Sequence, residues 1–367
     1  MSNTERIVET RLMEVGKEEG FDSYRRPGII CGADKRLVCY YEAQHFAPEK
    51  RQSLFCRVSD DAGETWSERI LLAEGGATGM LHNMMMAYSK GRYYCLWNVQ
   101  YRQLWLREST DGIHWSKPRD LTRDLWRADS DYAWNAFGVG SGHCIALKSG
   151  RILIPTWFTT GGDTHKPSAF ANIYTDDGFA SLHIGRSFMN SKEIVNPNEG
   201  TIVELSNGDV LATVRHDNEQ RARLFVRSRG GVENWNDACF RCDLPDPICH
   251  ASMLGVEDGD VRYILFCNCA NPDQDWERKH EAGLSRYLWS DDARKLLTLR
   301  FSTDEGGHFS GGVQLAEKGG YSDLAYVDGT VVCIYETGWD LKNSCVVPHD
   351  LGIARIALAD LVRAERG

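Results

Sequence analysis

The chain has 367 residues, of which 42% are hydrophobic and 26% charged, and its formal net charge is −10. This acidic balance argues against nucleic acid and anionic membrane surfaces as partners. No apolar run approaches the ~20 residues of a membrane span, and residues 1–20 lack the apolar stretch of a secretory signal. We therefore expect a cytoplasmic protein.

A turn motif recurs along the chain, each time after a predicted strand. Its full form, Ser-x-Asp-x-Gly-x-x-aromatic, occupies 59–66 and 302–309, and a form one residue shorter occupies 109–115. Weaker copies begin at Thr175 and Ser228. In the stronger copies the Asp can bond nearby backbone N–H groups, and the Gly can adopt a positive φ without steric cost. Each copy predicts a hairpin turn within a small antiparallel sheet.

The spacing of these copies indicates how the chain is built. Their start positions lie 50 to 74 residues apart, which is about one four-stranded propeller blade with loop insertions. Closed β architectures run long as single domains, so six such blades would fill the chain. We predict an all-β fold, a single six-bladed β-propeller of four-stranded antiparallel blades over residues 1–367. The segment 7–15 is expected to pair with 351–358 and close the ring.

The twelve cysteines are consistent with a reducing compartment. Most lie in apolar runs such as 37–40, where buried free thiols are usual. The pairs Cys239/Cys242 and Cys267/Cys269 are spaced closely enough to suggest zinc, but no complete Cys or Cys/His ligand set follows. We predict neither a metal site nor an organic cofactor.

Four segments break the strand pattern with charged or reactive side chains. They are Tyr24–Ile30, Asn196–Leu205, Asp292–Leu299 and Gly320–Ala325. Because propellers host many activities, the function must come from such segments and not from the repeated turn.

Together these segments resemble the sialidase (neuraminidase) family in its non-viral form, which carries Asp-box (BNR) repeats on a six-bladed propeller. Residues 24–27 match that family's Tyr/Phe-Arg-Ile-Pro, with Arg26 in place of Ile. The Gly-rich turn at 140–142, the strand at 150–155 and the segment 244–249 resemble further family segments. The order Arg, Glu, Arg, Arg, Tyr, Glu also agrees, and the resemblance covers nearly the whole chain.

The resemblance implies three arginines that bind the carboxylate of a sialic acid. By position they are Arg25, Arg215 and Arg294. Planar, permanently charged guanidinium groups suit this task, because they grip a carboxylate with paired hydrogen bonds. The alternatives for individual members are Arg26, Arg286 and Arg300.

The resemblance also implies Tyr321 as the nucleophile and Glu199 as its base. Sialidases with a Tyr nucleophile depart from the usual pair of carboxylates. The anomeric carbon of the sugar carries a carboxylate, which would repel an anionic nucleophile, whereas a neutral phenol approaches freely while Glu199 takes its proton. Glu336 resembles the residue that orients the first arginine.

The match is weakest at the general acid. The family places an Asp in the loop after a Glu-x-Arg segment; here that segment is Glu42-Ala43-Gln44, and the Asp position holds Glu49. Glu donates a proton as Asp does, with about 1.5 Å of added reach. His45 is the alternative acid, and an ordinary loop charge is the alternative role for Glu49. Gln44, in place of the arginine, is expected to alter contacts at the far end of the sugar.

The run 82–86, His-Asn-Met-Met-Met, has no counterpart in the resemblance. We interpret it as a plain apolar strand, with contact to an N-acyl group of the substrate as the alternative. Trp134 and Phe137 are similar pocket candidates.

These features predict a retaining exo-α-glycosidase that releases terminal sialic acid or a related 2-keto-3-deoxy nonulosonate from an acidic glycan. Two alternatives are a glycosidase for another acidic sugar on the same scaffold, and a non-catalytic glycan-binding propeller. The oligomeric state, the linkage, and the choice among hydrolysis, transfer and elimination stay open.

Overall fold

The fold was analysed in a computed structural model that describes residues 7–17, 20–46, 51–75, 79–162, 165–273, 293–339 and 348–365. In these residues the strands form six antiparallel sheets, five of four strands and one of five. This confirms the prediction of an all-β, six-bladed propeller. Within the described ranges no helix is long and apolar enough to cross a membrane.

The blades follow one another along the chain, except that the first strand, β1 (Glu9–Glu14), belongs to the last blade. Blade 1 comprises β2 (Ser23–Cys31), β3 (Leu37–Gln44), β4 (Gln52–Ser59) and β5 (Ile70–Gly75). Blade 2 comprises β6 (Leu81–Ser89), β7 (Arg92–Val99), β8 (Gln103–Ser109) and β9 (Arg119–Asp120), and is followed by the helix α1 (Thr122–Arg127). Blade 3 comprises β10 (Ala136–Val139), the short extra strand β11 (Ile145–Ala146), β12 (Ile152–Thr159), β13 (Ser168–Thr175) and β14 (His183–Ile184).

The second half of the ring has the same plan. Blade 4 comprises β15 (Gly200–Glu204), β16 (Asp209–Val214), β17 (Ala222–Arg229) and β18 (Trp235–Pro245). Blade 5 comprises β19 (Ser252–Asp258), β20 (Val261–Cys269), β21 (Lys295–Ser302) and β22 (Val313–Lys318). Blade 6 comprises β23 (Ser322–Val327), β24 (Thr330–Trp339), β25 (Pro348–Ala357) and β1, and the helix α2 (Leu358–Ala364) follows it.

The two ends of the described chain meet in blade 6. Strand β1 pairs antiparallel with β25, so that Glu9 lies opposite Arg355 and Leu12 opposite Gly352. The carboxylate of Glu14, only 2% exposed, accepts hydrogen bonds from Arg57 and Arg69 of blade 1. The N-terminal strand therefore completes the last blade and ties it to the first.

Hydrophobic cores lie between neighbouring blades. Strand β12 is buried along its whole length, and Met84, Met85 and Met86 of β6 are completely buried. Blades 1 and 6 share a core to which Ile29 and Ile334 both contribute. Strands buried on both faces need continuous apolar runs, which is why the methionine run forms an ordinary inner strand.

The repeated turns connect the third and fourth strands of blades 1 to 5. In the first, the Ser59 hydroxyl donates to Asp61 at 2.7 Å and accepts from the Gly63 N–H at 2.9 Å, while Asp61 accepts from the Thr65 N–H at 2.8 Å. Gly63 has a φ of +80°, which glycine adopts without strain.

Two blades depart from this pattern. The weak copy at Ser228, in blade 4, lacks the Asp, and the Ser228 hydroxyl donates to the Glu233 carbonyl instead. Blade 6 has no such turn, because its third and fourth strands, β25 and β1, are not consecutive in the chain.

Asp61→Ala should lower the free energy of unfolding by about 1 kcal/mol, because it removes hydrogen bonds that a carboxylate accepts inside the turn. Asp60→Ala is the matched control: Asp60 is the adjacent residue and pairs with Arg36 at the surface, so its loss should cost under about 0.5 kcal/mol. Urea unfolding of the two variants measures the difference. Equal losses would contradict a structural role for the turn aspartate.

Candidate active site

The innermost strands of the blades all begin at one end of the propeller. Glu199 directly precedes β15, and Tyr321 directly precedes β23. In an antiparallel blade this end also holds the end of the second strand and the start of the third. Arg215 directly follows β16 and Arg294 directly precedes β21, so residues from four positions in the chain reach the same face.

Tyr321, Glu199 and Arg215 form one hydrogen-bonded cluster. The Tyr321 hydroxyl lies 2.8 and 2.7 Å from the two Glu199 carboxylate oxygens. Arg215 Nη1 lies 2.7 Å from Glu199 Oε2 and 2.6 Å from the Tyr321 hydroxyl. All three residues are buried, with exposures of 4 to 8%.

This cluster sets the protonation states of its members. Burial raises the pKa of Tyr321 and the Glu199 carboxylate adds to the rise, while the positive charges of Arg215 and Arg294 act in the opposite direction. Burial also acts to raise the pKa of Glu199, but Arg215, His250 and the hydrogen bonds outweigh it and lower this pKa to about 2. At neutral pH the phenol is therefore neutral beside an ionised carboxylate, which is the state in which Glu199 can accept its proton.

Of the other two predicted arginines, Arg294 lies beside the same tyrosine and Arg25 is linked to it through Glu336. The Arg294 guanidinium stands 5.3 Å from the centre of the Tyr321 ring and 5.8 Å from that of Trp339. Arg25 Nε lies 3.3 Å from Glu336 Oε1. Glu336 is fully buried, and its other oxygen accepts from the Tyr321 N–H at 3.3 Å. Glu336 therefore connects Arg25 to the backbone of Tyr321.

The alternative arginines are placed differently. Arg300 lies along β21 and contacts the Asn268 side chain at 3.3 Å. Arg286 falls outside the described residues. Arg26 follows Arg25 and points its guanidinium at Glu42, at 2.7 Å.

The segment predicted to supply the general acid is only partly described. Gln44 lies at the end of β3 and donates to Glu42 at 3.2 Å. His45 stacks on Phe21, with ring centres 4.6 Å apart, and does not line the cavity at Tyr321. Glu49 falls outside the described residues, and its role stays a prediction.

A cavity of about 300 Å³ opens beside Tyr321, Glu199 and Arg215. One wall consists of Tyr101, Trp157 and His165, whose ring centres lie 4.5 to 5.4 Å apart. A cavity of this size with an apolar wall and a few converging charges is typical of small-ligand sites. A second cavity, of about 430 Å³, is lined by residues at the opposite ends of the inner strands and by none of the predicted site residues.

Sequence reasoning missed most of the cavity wall. No motif singled out Tyr101, Trp157 or His165. Trp134 and Phe137, named as pocket candidates, pack against Phe158 and do not line this cavity. Asn83, within the unassigned methionine run, does line it. In the described residues no group of three or more His, Cys, Asp or Glu side chains could hold a metal ion.

Comparison with known proteins shows the family to which this chain belongs. The family model for the BNR repeat-like domain matches residues 95–334. The sialidase of Micromonospora viridifaciens is 24% identical over 90% of this chain, which spans 52% of that protein. Sialidase-3 of Rattus norvegicus is 33% identical over 67% of this chain and 66% of its own length. The chain therefore belongs to the sialidase family with BNR repeats.

The fold agrees with solved structures. A Trypanosoma rangeli sialidase in complex with 2,3-difluoro-KDN superposes with a TM-score of 0.72 at 17% identity, over 98% of this chain and 60% of that one. The chain thus spans about half the length of the M. viridifaciens relative and somewhat more of this structural neighbour.

Glu199→Gln should lower the free energy of unfolding on the order of 3 kcal/mol at pH 7, because it leaves Arg215 buried beside a neutral partner. The folded pKa of Glu199, about 2, is below its usual 4.5. The carboxylate's contribution is therefore complete above pH 4.5 and disappears as the pH falls through 2. The gap between wild type and variant should shrink from pH 7 to pH 3 in urea unfolding.

Glu204→Gln is the control, since Glu204 lies at the other end of β15 and should show no comparable loss at pH 7. A gap for Glu199→Gln that is the same at both pH values would contradict the ion pair.

Proposed function

We propose that this protein is a retaining exo-α-sialidase, a glycoside hydrolase that releases terminal sialic acid or a related 2-keto-3-deoxy nonulosonate. The observation that carries the proposal is the buried cluster in which the Tyr321 hydroxyl contacts both Glu199 and Arg215 at 2.6 to 2.8 Å. Its relatives support the reaction class, since the matched proteins of M. viridifaciens and R. norvegicus are named sialidases.

Substrate binding begins with the carboxylate on the anomeric carbon. Arg215 and Arg294 contact Tyr321, and Arg25 is linked to its backbone through Glu336. These arginines supply three permanent positive charges in a protein whose net charge is −10. Guanidinium groups bind a carboxylate through paired hydrogen bonds, so they fix the sugar's orientation as well as its charge. Glu336 holds Arg25 in place. The ligand of the T. rangeli neighbour, 2,3-difluoro-KDN, is a sugar acid of this class.

The first chemical step forms a covalent sugar–enzyme bond. The Tyr321 oxygen attacks the anomeric carbon while Glu199 takes the phenolic proton, and the bond to the leaving oxygen breaks as Glu49 protonates that oxygen. Arg215, 2.6 Å from the phenol oxygen, stabilises the negative charge that develops there.

The second step reverses the first with water. Glu49, now a carboxylate, removes a proton from the water that attacks the anomeric carbon. The Tyr321 oxygen leaves and regains its proton from Glu199. Two displacements at one carbon retain its configuration.

Tyr321→Phe should reduce kcat/KM on a fluorogenic sialoside on the order of 10²-fold or more, because the variant has no oxygen to form the intermediate. Tyr326→Phe is the matched control: Tyr326 lies on β23, the strand that Tyr321 directly precedes, and its hydroxyl contacts Asp258 at 2.9 Å. The variant should keep wild-type activity. A fully active Tyr321→Phe enzyme would exclude the proposed nucleophile, and a wild type that binds sialosides without cleaving them would favour a glycan-binding propeller.

Glu49→Gln should lose most activity on a sialoside with a poor leaving group and little on one with a good leaving group, because only the first needs protonation. His45→Gln, measured beside it, should affect the two substrates alike. Steady-state kinetics on the pair of substrates decides the assignment. Full activity of Glu49→Gln on the substrate with the poor leaving group would show that another residue is the general acid.

A panel of acidic glycosides tests the sugar itself. Release of sialic acid supports the proposal. No release at any pH, together with cleavage of another keto-acid or uronic acid glycoside, would establish the alternative glycosidase on the same scaffold.

A further inference from the structure

Two inner strands carry an irregularity at the active-site end. The pairing of β2 with β3 shifts between Arg25 and Gly28, and that of β6 with β7 shifts between His82 and Met84. Inside these bulges Arg26 has a φ of +48° and Asn83 a φ of +49°. Residues other than glycine rarely adopt such angles, and bulges beside active sites commonly re-aim a side chain.

Both bulges are held by one carboxylate. Glu42 is completely buried; its Oε2 lies 2.7 Å from Arg26 Nη1, and its Oε1 accepts from the Asn83 N–H at 2.7 Å. The interaction joins blade 1 to blade 2 at the mouth of the site. Because a buried carboxylate needs a charged partner, Arg26 and Glu42 depend on one another.

The ion pair between Arg26 and Glu42 also explains two departures from the family pattern. Where the family has Arg in its Glu-x-Arg segment, this chain has the neutral Gln44, which contacts the same Glu42 oxygen at 3.2 Å. Where the family has Ile, this chain has Arg26. The guanidinium absent at position 44 is thus supplied from the neighbouring strand.

The two bulge residues face the proposed substrate. Arg26 and Asn83 line the same cavity as Tyr321 and Glu199. Asn83 is 2% exposed, and its side-chain oxygen has no hydrogen-bond partner among the described residues. A buried, unpaired amide oxygen is costly unless a ligand satisfies it.

We propose that Arg26 and Asn83 form a second polar subsite that recognises a hydroxyl group of the sugar, with Glu42 as a positioning residue. This inference rests on the proposed function and adds a specificity determinant to it. A hydroxyl can accept a hydrogen bond from Arg26 and donate one to Asn83 at the same time. A second anionic group on the sugar fits this subsite less well, because Glu42 already neutralises Arg26 and the Glu42 carboxylate would repel the anion.

The test compares sialosides that each lack one hydroxyl with the parent substrate. For the wild type, removing the recognised hydroxyl should lower kcat/KM on the order of 10- to 100-fold, because buried polar groups are left unpaired. Arg26→Gly and Asn83→Gly should show that loss already on the parent and should no longer discriminate against the deoxy substrate. Glycine is chosen because it keeps the positive φ at both positions.

Two further variants separate recognition from folding. Glu42→Gln should weaken the same discrimination, because it releases Arg26. Lys90→Gly is the matched control: Lys90 is an exposed cation with a φ of +50° at the other end of β6, and its loss should leave the discrimination unchanged.

The proposal is overturned if Arg26→Gly and Asn83→Gly discriminate among the deoxy substrates as the wild type does, or if no single hydroxyl matters to the wild type. Its failure is distinct from failure of the proposed function, which would show as a wild type that cleaves no member of the panel. In that case calorimetric binding of free sialic acid and its deoxy analogues measures the same discrimination.

Discussion

The pairing of β1 with β25 closes the ring of six blades. It completes blade 6 and, through Glu14, attaches that blade to blade 1. The candidate site spans this junction, because Arg25 comes from blade 1 while Tyr321 and Glu336 come from blade 6. The blades of a propeller are arranged in a closed ring, so charged residues from distant parts of the chain meet at one mouth of that ring.

Within that mouth, paired charges decide what the site can do. A lone buried charge is costly, and here Glu199 is paired with Arg215, Glu336 with Arg25, and Glu42 with Arg26. The pairs keep Glu199 ionised and the guanidinium groups in fixed positions before substrate arrives. Such preorganised charge is where enzymes obtain much of their transition-state stabilisation. These ion pairs connect three proposed parts of the site in one network: the nucleophile, the arginines that bind the substrate carboxylate, and the hydroxyl subsite.

The reliability of sequence reasoning differed among the site residues for a physical reason. Tyr321, Glu199 and the three arginines belong to short segments whose order along the chain could be matched to a family. The structure places Glu199, Arg215 and Arg294 against Tyr321 and links Arg25 to it through Glu336, while their roles stay predictions. Arg26 stands out in the sequence as a replacement within the family motif, but its partner Glu42 could not be inferred, since the bulges that join them depend on strand register. Tyr101 and Trp157 belong to no motif. In a sequence, an aromatic residue that lines a cavity cannot be told apart from one that packs in a core. Glu49 stays a prediction.

The blade architecture could be predicted from the sequence because the Ser-x-Asp-x-Gly turn is local. Its hydrogen bonds join residues two to four positions apart and recur at blade-length intervals. The sequence also indicated which charged residues are candidates for the site. How those residues meet, which arginine pairs with which carboxylate, and that two strained bulges place Arg26 and Asn83 at one cavity became visible only in the folded chain. Those outcomes depend on contacts between residues tens to hundreds of positions apart, which only ring closure and strand register specify.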